Sequence, residues 1–334
     1  MTPNVLVVGG AGYIGSHMVL AAQEAGWGVT VFDNLSRGFA DAVGSARLVQ
    51  GDLRNPADLD RCFQSGDFDL VMHFAALAYV GESVQAPDLY YQNNVVGALN
   101  LLDAMRRQDV RHLVFSSTCA TYGEPRQMPI PEDHPQHPIN PYGRTKLIIE
   151  QALADYAQAF GMNSVSLRYF NAAGCDPAGR AGERHDPETH LIPLVLEEAL
   201  RLQEGGNPDD TNLTVFGDDF PTRDGTCIRD YIHVDDLCAA HLLAGRRLLA
   251  GEVEGAVCLN LANGAGFTVL EVIEACRRVT GQPIRFRIGA RRAGDPPELI
   301  GDAQRAARDL GWKPEWTSLD AILETAWNWM RSRS

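Results

Sequence analysis

The sequence predicts an α/β fold, a Rossmann-type doubly wound parallel sheet followed by a smaller C-terminal α/β substrate lobe. Three observations carry this. Six short β-branched runs, at residues 5–8, 29–32, 47–49, 70–73, 112–116 and 164–168, alternate with segments of helical spacing. A glycine-rich turn, Gly9-Gly10-Ala11-Gly12-Tyr13-Ile14-Gly15, links the first run to the first helical segment. After about residue 171 the alternation gives way to scattered short strands and separate helices.

The first strand enters the glycine turn, where Gly9, Gly12 and Gly15 let the backbone approach a pyrophosphate at a helix N-terminus, with Tyr13 and Ile14 between them. Asp33 ends the second strand, eighteen residues after Gly15. Its carboxylate can accept from both ribose hydroxyls and would repel a 2′-phosphate, which favours NAD over NADP; Asn34 follows it, and the other reading of Asp33 is a turn residue. Asp52 ends the third strand, placed to accept from an adenine amino group beside Leu53, or to cap a helix. His73-Phe74-Ala75-Ala76-Leu77 ends the fourth, where Phe74 and Ala75 leave room for the nicotinamide side and His73 reads as a packed strand-end histidine. Asn93, in the helical pattern that follows, is a candidate for backbone or cofactor hydrogen bonding.

The fifth strand ends in Phe115-Ser116-Ser117-Thr118, at the sheet edge where open α/β folds bind ligands. Ser116 is expected at the cofactor, and the Thr118 hydroxyl at the reacting sugar oxygen. A proline-rich loop then leads into the helix of Tyr142-Gly143-Arg144-Thr145-Lys146. Four-residue spacing stacks Tyr142 and Lys146 on one face, and the ammonium is expected to lower the phenol from its usual value of about 10 so that it can exchange a proton with a sugar hydroxyl. Beyond the sixth strand come a helix at 191–202, a polar loop at 203–212 and helices near 269–280 and 318–331. The expected division is 1–171 for the cofactor domain and 172–334 for the substrate lobe, with segments crossing between them.

Composition bounds the function. The 334 residues suffice for two lobes, and 45% hydrophobic with 22% charged residues is ordinary globular usage. A formal net charge of −14 argues against general affinity for nucleic acid or anionic membranes, so an anionic ligand requires locally concentrated arginine. Seven scattered cysteines without a Cys-x-x-Cys suit a reducing compartment and imply neither a disulfide framework nor a zinc site; no metal is expected. With no apolar run of eighteen residues and no leader-like start, a cytoplasmic location without a membrane partner is expected.

Gly9 to Gly15, Asp33, Asn93, Thr118, Tyr142 and Lys146 together resemble the extended short-chain dehydrogenase/reductase superfamily. Later segments narrow the resemblance: Leu167-Arg168-Tyr169-Phe170-Asn171-Ala172-Ala173-Gly174, Thr189-His190-Leu191-Ile192-Pro193, Ile228-Arg229-Asp230-Tyr231-Ile232-His233-Val234-Asp235-Asp236 and Arg291-Arg292-Ala293-Gly294-Asp295-Pro296. In that order they are similar, over nearly the whole chain, to the UDP-glucose 4-epimerase family. The resemblance implies that tightly held NAD takes a hydride from sugar C4 while Tyr142 takes the O4 proton, and that the 4-keto sugar turns and is reduced on its other face. It further implies that Lys146 binds the nicotinamide ribose, that Thr118 orients O4 and that Phe170 supports the nicotinamide. For the UDP-sugar it implies Asn171, His190 and Leu191 at the diphosphate and sugar, Arg229 and Arg292 as a diphosphate clamp, Asp295 at the uridine ribose and Phe216 near uracil.

Two positions depart from the family pattern. Ala78 stands where some members carry a cofactor-contacting lysine, and Leu299 where some carry a tyrosine beside the sugar, which suggests room for UDP-N-acetylhexosamines. Members are usually homodimers through a helical bundle, for which the patterns at 99–107 and 147–156 are candidates. Two other functions compete. A nucleotide-sugar 4,6-dehydratase needs an Asp-Glu pair directly after the threonine, where this chain has Cys119-Ala120, and a non-catalytic NAD-binding regulator needs neither Tyr142 nor Lys146.

Overall fold

The structure, a computed structural model, describes residues 2–292 and 295–333. The first half runs β1 (Asn4–Val8), α1 (Tyr13–Glu24), β2 (Gly28–Asp33), β3 (Arg47–Gln50), α2 (Pro56–Phe63), β4 (Leu70–His73), α3 (Val80–Gln85), α4 (Pro87–Tyr90), a π-helical turn (Tyr91–Val96), α5 (Gly97–Arg107), β5 (His112–Thr118), α6 (Pro141–Phe160) and β6 (Asn163–Tyr169). The second half continues with β7 (Asn171–Ala173), α7 (Leu191–Gln203), β8 (Thr214–Phe216), β9 (Ile228–His233), α8 (Val234–Leu249), β10 (Ala256–Leu261), β11 (Gly266–Thr268), α9 (Val269–Thr280), β12 (Arg287–Gly289), β13 (Glu298–Leu299), α10 (Gln304–Leu310) and α11 (Leu319–Arg331).

Seven strands form one sheet in the order β10-β6-β5-β4-β1-β2-β3, every neighbouring pair parallel. Parallel strands covered by helices on both faces are buried throughout, which is why β1 reads as an unbroken apolar run and Val5 to Val8 have no exposure. The order reverses at β1, flanked by β4 and β2, so the carboxyl ends of these strands open a crevice at the switch point. The six strands expected from the alternating pattern are present, and β5 and β6 extend to Thr118 and Tyr169. The seventh, β10, lies beyond residue 171 and pairs with β6, so the chain leaves the large sheet and returns to it. The intervening α8 packs on α1 through Val234, Leu237, Ala240 and Ala244, which share a core with Val5, Val7, Met18 and Val19.

A second core joins α7, α9 and α11 through Ile192, Val195, Leu196, Val272, Ile273, Ile322, Leu323 and Trp327. Beside it, β7, β9, β11 and β13 make a small mixed sheet, and β8 pairs with β12. The crevice itself is lined by residues at the carboxyl ends of β1, β2 and β4 and by the segments that follow them.

Local sequence sets the helix starts that matter. At α6, Asn140 Oδ1 accepts from the Gly143 amide at 2.8 Å and Pro141 fills the first helical position. At α1 the N-cap is Gly12, with no side chain accepting from the first turn, which leaves those amides to an outside anion.

Candidate active site

The crevice is lined by Gly9, Gly12, Asp33, Asn34, Leu53, Phe74, Ala75 and Asn93, bringing together residues chosen from four strand ends. Gly9 has φ +82°, and a Cβ there would stand 2.4 Å from the Ala75 amide nitrogen, so only glycine lets β1 and β4 close at this point. A Cβ on Gly15 would meet the Gly9 carbonyl, whereas Gly12 has little against it but that carbonyl at 3.5 Å. Gly12 therefore presents open backbone to the crevice.

Asp33 accepts from the Ala11 amide at 3.0 Å through Oδ2 and from the Leu35 amide at 2.8 Å through Oδ1, tying the glycine turn to β2. Burial pushes its carboxyl up, against the pull of these amides. An ionised carboxylate has about four lone-pair sites, so acceptor capacity remains for a ribose. Asp52 is gripped by Arg54, with Nε at 2.9 Å and Nη2 at 2.6 Å, and receives Asn34 Nδ2 at 3.1 Å; the guanidinium holds its carboxyl well below the usual range. It does not cap α2, because Asn55 does so through the Ala57 amide.

Two residues expected at the cofactor are engaged elsewhere. The Tyr13 hydroxyl donates to the Gly174 carbonyl at 2.5 Å, so its side chain ties α1 to the second lobe and only its backbone remains at the helix N-terminus. Ile14 packs into the core shared with α8. Asn93 lines the crevice from the π-helical turn and donates to Asn94 Oδ1 at 2.9 Å. Such turns re-aim side chains within a helical segment.

Tyr142 and Lys146 are both buried, at 8% and 3% exposure. Lys146 Nζ donates to the Ser116 carbonyl at 2.7 Å and lies 4.7 Å from the Phe115 ring centre and 6.0 Å from that of Tyr142. Ser116 Oγ pairs with the Tyr169 hydroxyl at 2.7 Å, leaving its carbonyl as the lysine's anchor. Burial pushes the Lys146 ammonium down to about 7, opposed by Glu150. Burial also pushes the Tyr142 phenol well up, with a hydrogen bond from Thr118 working the other way. The sequence expectation of a lysine-lowered phenol is therefore corrected: low dielectric penalises the charged form of both groups, and the Lys146 ammonium, 6.0 Å from the Tyr142 ring centre, does not offset it. Thr118 reaches Tyr142 because Gly143 lets α6 start against the 119–121 turn, where a Cβ would lie 2.4 Å from the Ala120 carbonyl oxygen.

Sequence reasoning missed the layer beneath. Glu150, one turn beyond Lys146, accepts from Ser117 Oγ at 2.5 Å, from Arg168 Nε and Nη2 at 2.9 and 2.7 Å and from Gln136 at 3.1 Å. Asn94 receives the Leu77 amide at 2.9 Å and donates to the Leu77 carbonyl at 3.0 Å and Thr145 Oγ1 at 3.1 Å, clamping the loop after β4 onto α6. A glutamate and an asparagine at positions of an otherwise buried helical pattern were the available signal. His73 is buried with neither ring nitrogen partnered among the described residues, and burial, then Lys146, pushes it down to about 3, so it is neutral.

The substrate candidates come together in pairs. The Arg229 guanidinium meets the Asp295 carboxylate, and the Arg292 guanidinium lies 4.1 Å over the half-exposed Phe216 ring. Ala293 and Gly294 of that motif lie outside the described residues. Leu299 pairs with Arg229 in register and packs near Phe170 and Cys119, and Asn171 opens β7 opposite Tyr231. His190 precedes α7, whose first residue is Leu191; its Nδ1 is 2.8 Å from Glu188 Oε1 and 3.3 Å from Glu183 Oε1. His190 thus stands in a carboxylate cluster, with Nε2 the nitrogen left for a ligand.

A doubly wound sheet whose switch point opens on a glycine turn, with a buried tyrosine–lysine pair at its carboxyl rim, defines a dinucleotide-dependent protein of the extended short-chain dehydrogenase/reductase type. The chain belongs to the NAD dependent epimerase/dehydratase family, whose profile matches residues 5–258. It is 52% identical to a UDP-glucose 4-epimerase of Halalkalibacterium halodurans, over 97% of this chain and 95% of the relative. It is 49% identical to a UDP-glucose 4-epimerase of Rhizobium meliloti, over 99% and 98%. Its fold is similar to that of UDP-glucose 4-epimerase from Brucella ovis in complex with NAD, with a TM-score of 0.91, 48% identity and 98% of each chain covered.

Proposed function

We propose that this protein is an NAD-dependent 4-epimerase that interconverts UDP-galactose and UDP-glucose through a transient 4-keto sugar. The observation that carries this is the buried Tyr142–Lys146 pair, with Thr118 beside the phenol, at the rim of a crevice floored by the glycine turn. Likeness to UDP-glucose 4-epimerases over nearly the whole chain supports it.

The crevice residues fit NAD. Gly12 offers open backbone beside an uncapped helix N-terminus for the pyrophosphate, Asp33 offers acceptors for the ribose, and Phe74 and Ala75 bound the nicotinamide side. Bound there, NAD supplies a hydride acceptor that becomes the donor for the return step. As its phenolate, the form that a protonated Lys146 and a bound nicotinamide cation would favour against burial, Tyr142 takes the O4 proton as C4 is oxidised and gives it back on reduction; Thr118 orients O4, and Lys146 holds the nicotinamide ribose from its anchor on Ser116. Arg229 and Arg292 take the diphosphate, exchanging Asp295 and the Phe216 ring for substrate oxygens, which lets Asp295 turn to the uridine ribose. Asn171, His190 and Leu191 border the sugar, and Leu299 leaves space for a 2-N-acetyl group.

Dehydration is disfavoured by the residue after Thr118: burial pushes the Cys119 thiol up to about 12, and no carboxylate stands there to drive loss of water. The seven cysteines are all free, which suits a cytoplasmic protein. Among the described residues no helix is long and apolar enough to cross a membrane. Proton NMR of UDP-galactose with the protein and no added cofactor decides between the readings. Appearance of UDP-glucose is the expected result, a 6-deoxy-4-keto product would mean a dehydratase, and an unchanged spectrum would mean a binder. UDP-N-acetylglucosamine in the same tube is expected to convert more slowly; no conversion of it removes the role given to Leu299.

A further inference from the structure

Four side chains on the segment leading into α7 converge on one point: Glu183, His185, Glu188 and His190 each offer a ligand atom, and all four atoms lie within 4.8 Å of one another. His185 Nδ1 is 3.4 Å from Glu183 Oε1 and 3.1 Å from Glu188 Oε2, and His190 Nδ1 is 3.3 Å and 2.8 Å from the same two carboxylates. Zinc binds imidazole nitrogen and carboxylate oxygen at about 2.0–2.2 Å in a tetrahedron, whose edges are then about 3.3–3.6 Å. The four imidazole–carboxylate separations, 2.8–3.4 Å, are close to such edges, and the widest gap in the cluster, within 4.8 Å, needs to close by about an ångström.

The burial and charge of the cluster call for a cation. Both carboxylate side chains are shielded, at 9% and 8% exposure, and among the described residues neither pairs with a lysine or arginine. Arg184, next in sequence to Glu183, is committed to Asp41 and to the Phe39 ring. Carboxylate and imidazole donors together, without thiolate, suit a borderline divalent ion of the first transition row. The cysteine spacing that argued against a zinc site does not bear on this donor set.

We propose that Glu183, His185, Glu188 and His190 form a divalent metal site, of zinc class, which pins the 183–190 segment across the mouth of the crevice. That segment already straps the two lobes together. Arg37, which lines the crevice, donates to the Asp186 carbonyl at 3.2 Å; the Tyr79 hydroxyl donates to the Pro187 carbonyl at 3.1 Å; and the Tyr13 ring meets His185 edge-on at 6.2 Å. On the other side the Glu183 carbonyl accepts from Trp329 Nε1 at 3.3 Å. A metal there would turn a hydrogen-bonded strap into a coordinated one, and the site stands whether or not the reaction proposed above is correct.

The test is titration of chelator-treated protein with Co²⁺, followed by displacement with Zn²⁺. One equivalent of cobalt with the intense visible bands of a four-coordinate site is expected, together with a higher melting temperature when zinc is bound. His185→Ala and Glu183→Gln should each weaken cobalt binding by about tenfold or more and abolish the zinc-dependent rise in melting temperature. Circular dichroism checks that the variants fold; if either does not, Glu188→Gln, which keeps an oxygen for the Thr189 and His190 amides, replaces it. Absence of stoichiometric binding by the wild type, or equal binding by wild type and folded variants, overturns the site.

Discussion

Tyr142 and Lys146 show how burial and function oppose each other within single side chains. Burial holds the phenol neutral well beyond its ordinary range, and it lets the ammonium lose its proton near neutral pH. A proton-transfer group contributes typically 10²–10⁴-fold to a rate, so Tyr142→Phe is expected to lower turnover by roughly that factor while NAD remains bound, measured by coupled assay and by the protein's NAD content. Turnover within about twofold of wild type would remove Tyr142 as the base. For Lys146 the sign follows from linkage. Its folded pKa, about 7, lies below its unfolded value of about 10.4, so between these limits the unfolded chain binds the extra proton and stability rises with pH; below pH 7 the full penalty applies. Lys146→Met, which removes the buried cation, should therefore raise the melting temperature of NAD-free protein at pH 7 and flatten its rise toward pH 10, while activity collapses. A lower melting temperature with unchanged pH dependence would show that the lysine is not strained by burial.

At the scale of elements, α6 is held in place by what lies beneath it. Its start is set locally by Asn140 and Pro141, but its seating depends on Glu150 meeting Arg168 of β6, at 3% and 5% side-chain exposure, and on Asn94 reaching Thr145. Breaking one partner of such a pair strands the other charge, at about 3–5 kcal/mol. Glu150→Gln should lower unfolding free energy by that amount in urea denaturation, and Arg168→Met added to it should restore part of the loss; additive losses would mean that the two do not act as a pair. The helix was legible in the sequence, because a proline-rich loop leads into it and Tyr142 and Lys146 share a face by spacing alone. Glu150 was not, because a glutamate four residues beyond a lysine reads equally well as a solvated surface pair, and only β6 behind it makes the position buried.

Over the whole molecule, two exposed apolar side chains stand on neighbouring helices. Leu99 on α5 and Phe160 at the end of α6 are 36% and 46% exposed, and the Tyr156 hydroxyl holds the two helices together through Asp103 at 3.0 Å. We propose a homodimer through these helices, the pairing expected from the patterns at 99–107 and 147–156. Light scattering should give twice the chain mass, reduced to one by Leu99→Asp; a monomer in the wild type would refute it. The same scale explains why the division near residue 171 is a coarse description. β10 pairs with β6 across some ninety residues of intervening chain. A single edge strand carries no mark in its sequence of which sheet it will join, since β-branched alternation encodes pairing competence and not the partner.

By itself the sequence determined the parallel sheet, the glycine turn, Asp33, and the tyrosine–lysine face, because each follows from short-range rules: period, φ freedom, strand-end position and helical spacing. Tertiary structure alone decided that Tyr13 serves the second lobe, that Arg229 meets Asp295 and Arg292 meets Phe216, that His190 joins two glutamates, and that burial governs the ionisation of Tyr142 and Lys146. Those outcomes depend on which distant segments share a low-dielectric space, and contact between distant segments is a property of the packed chain, not of any local stretch of it.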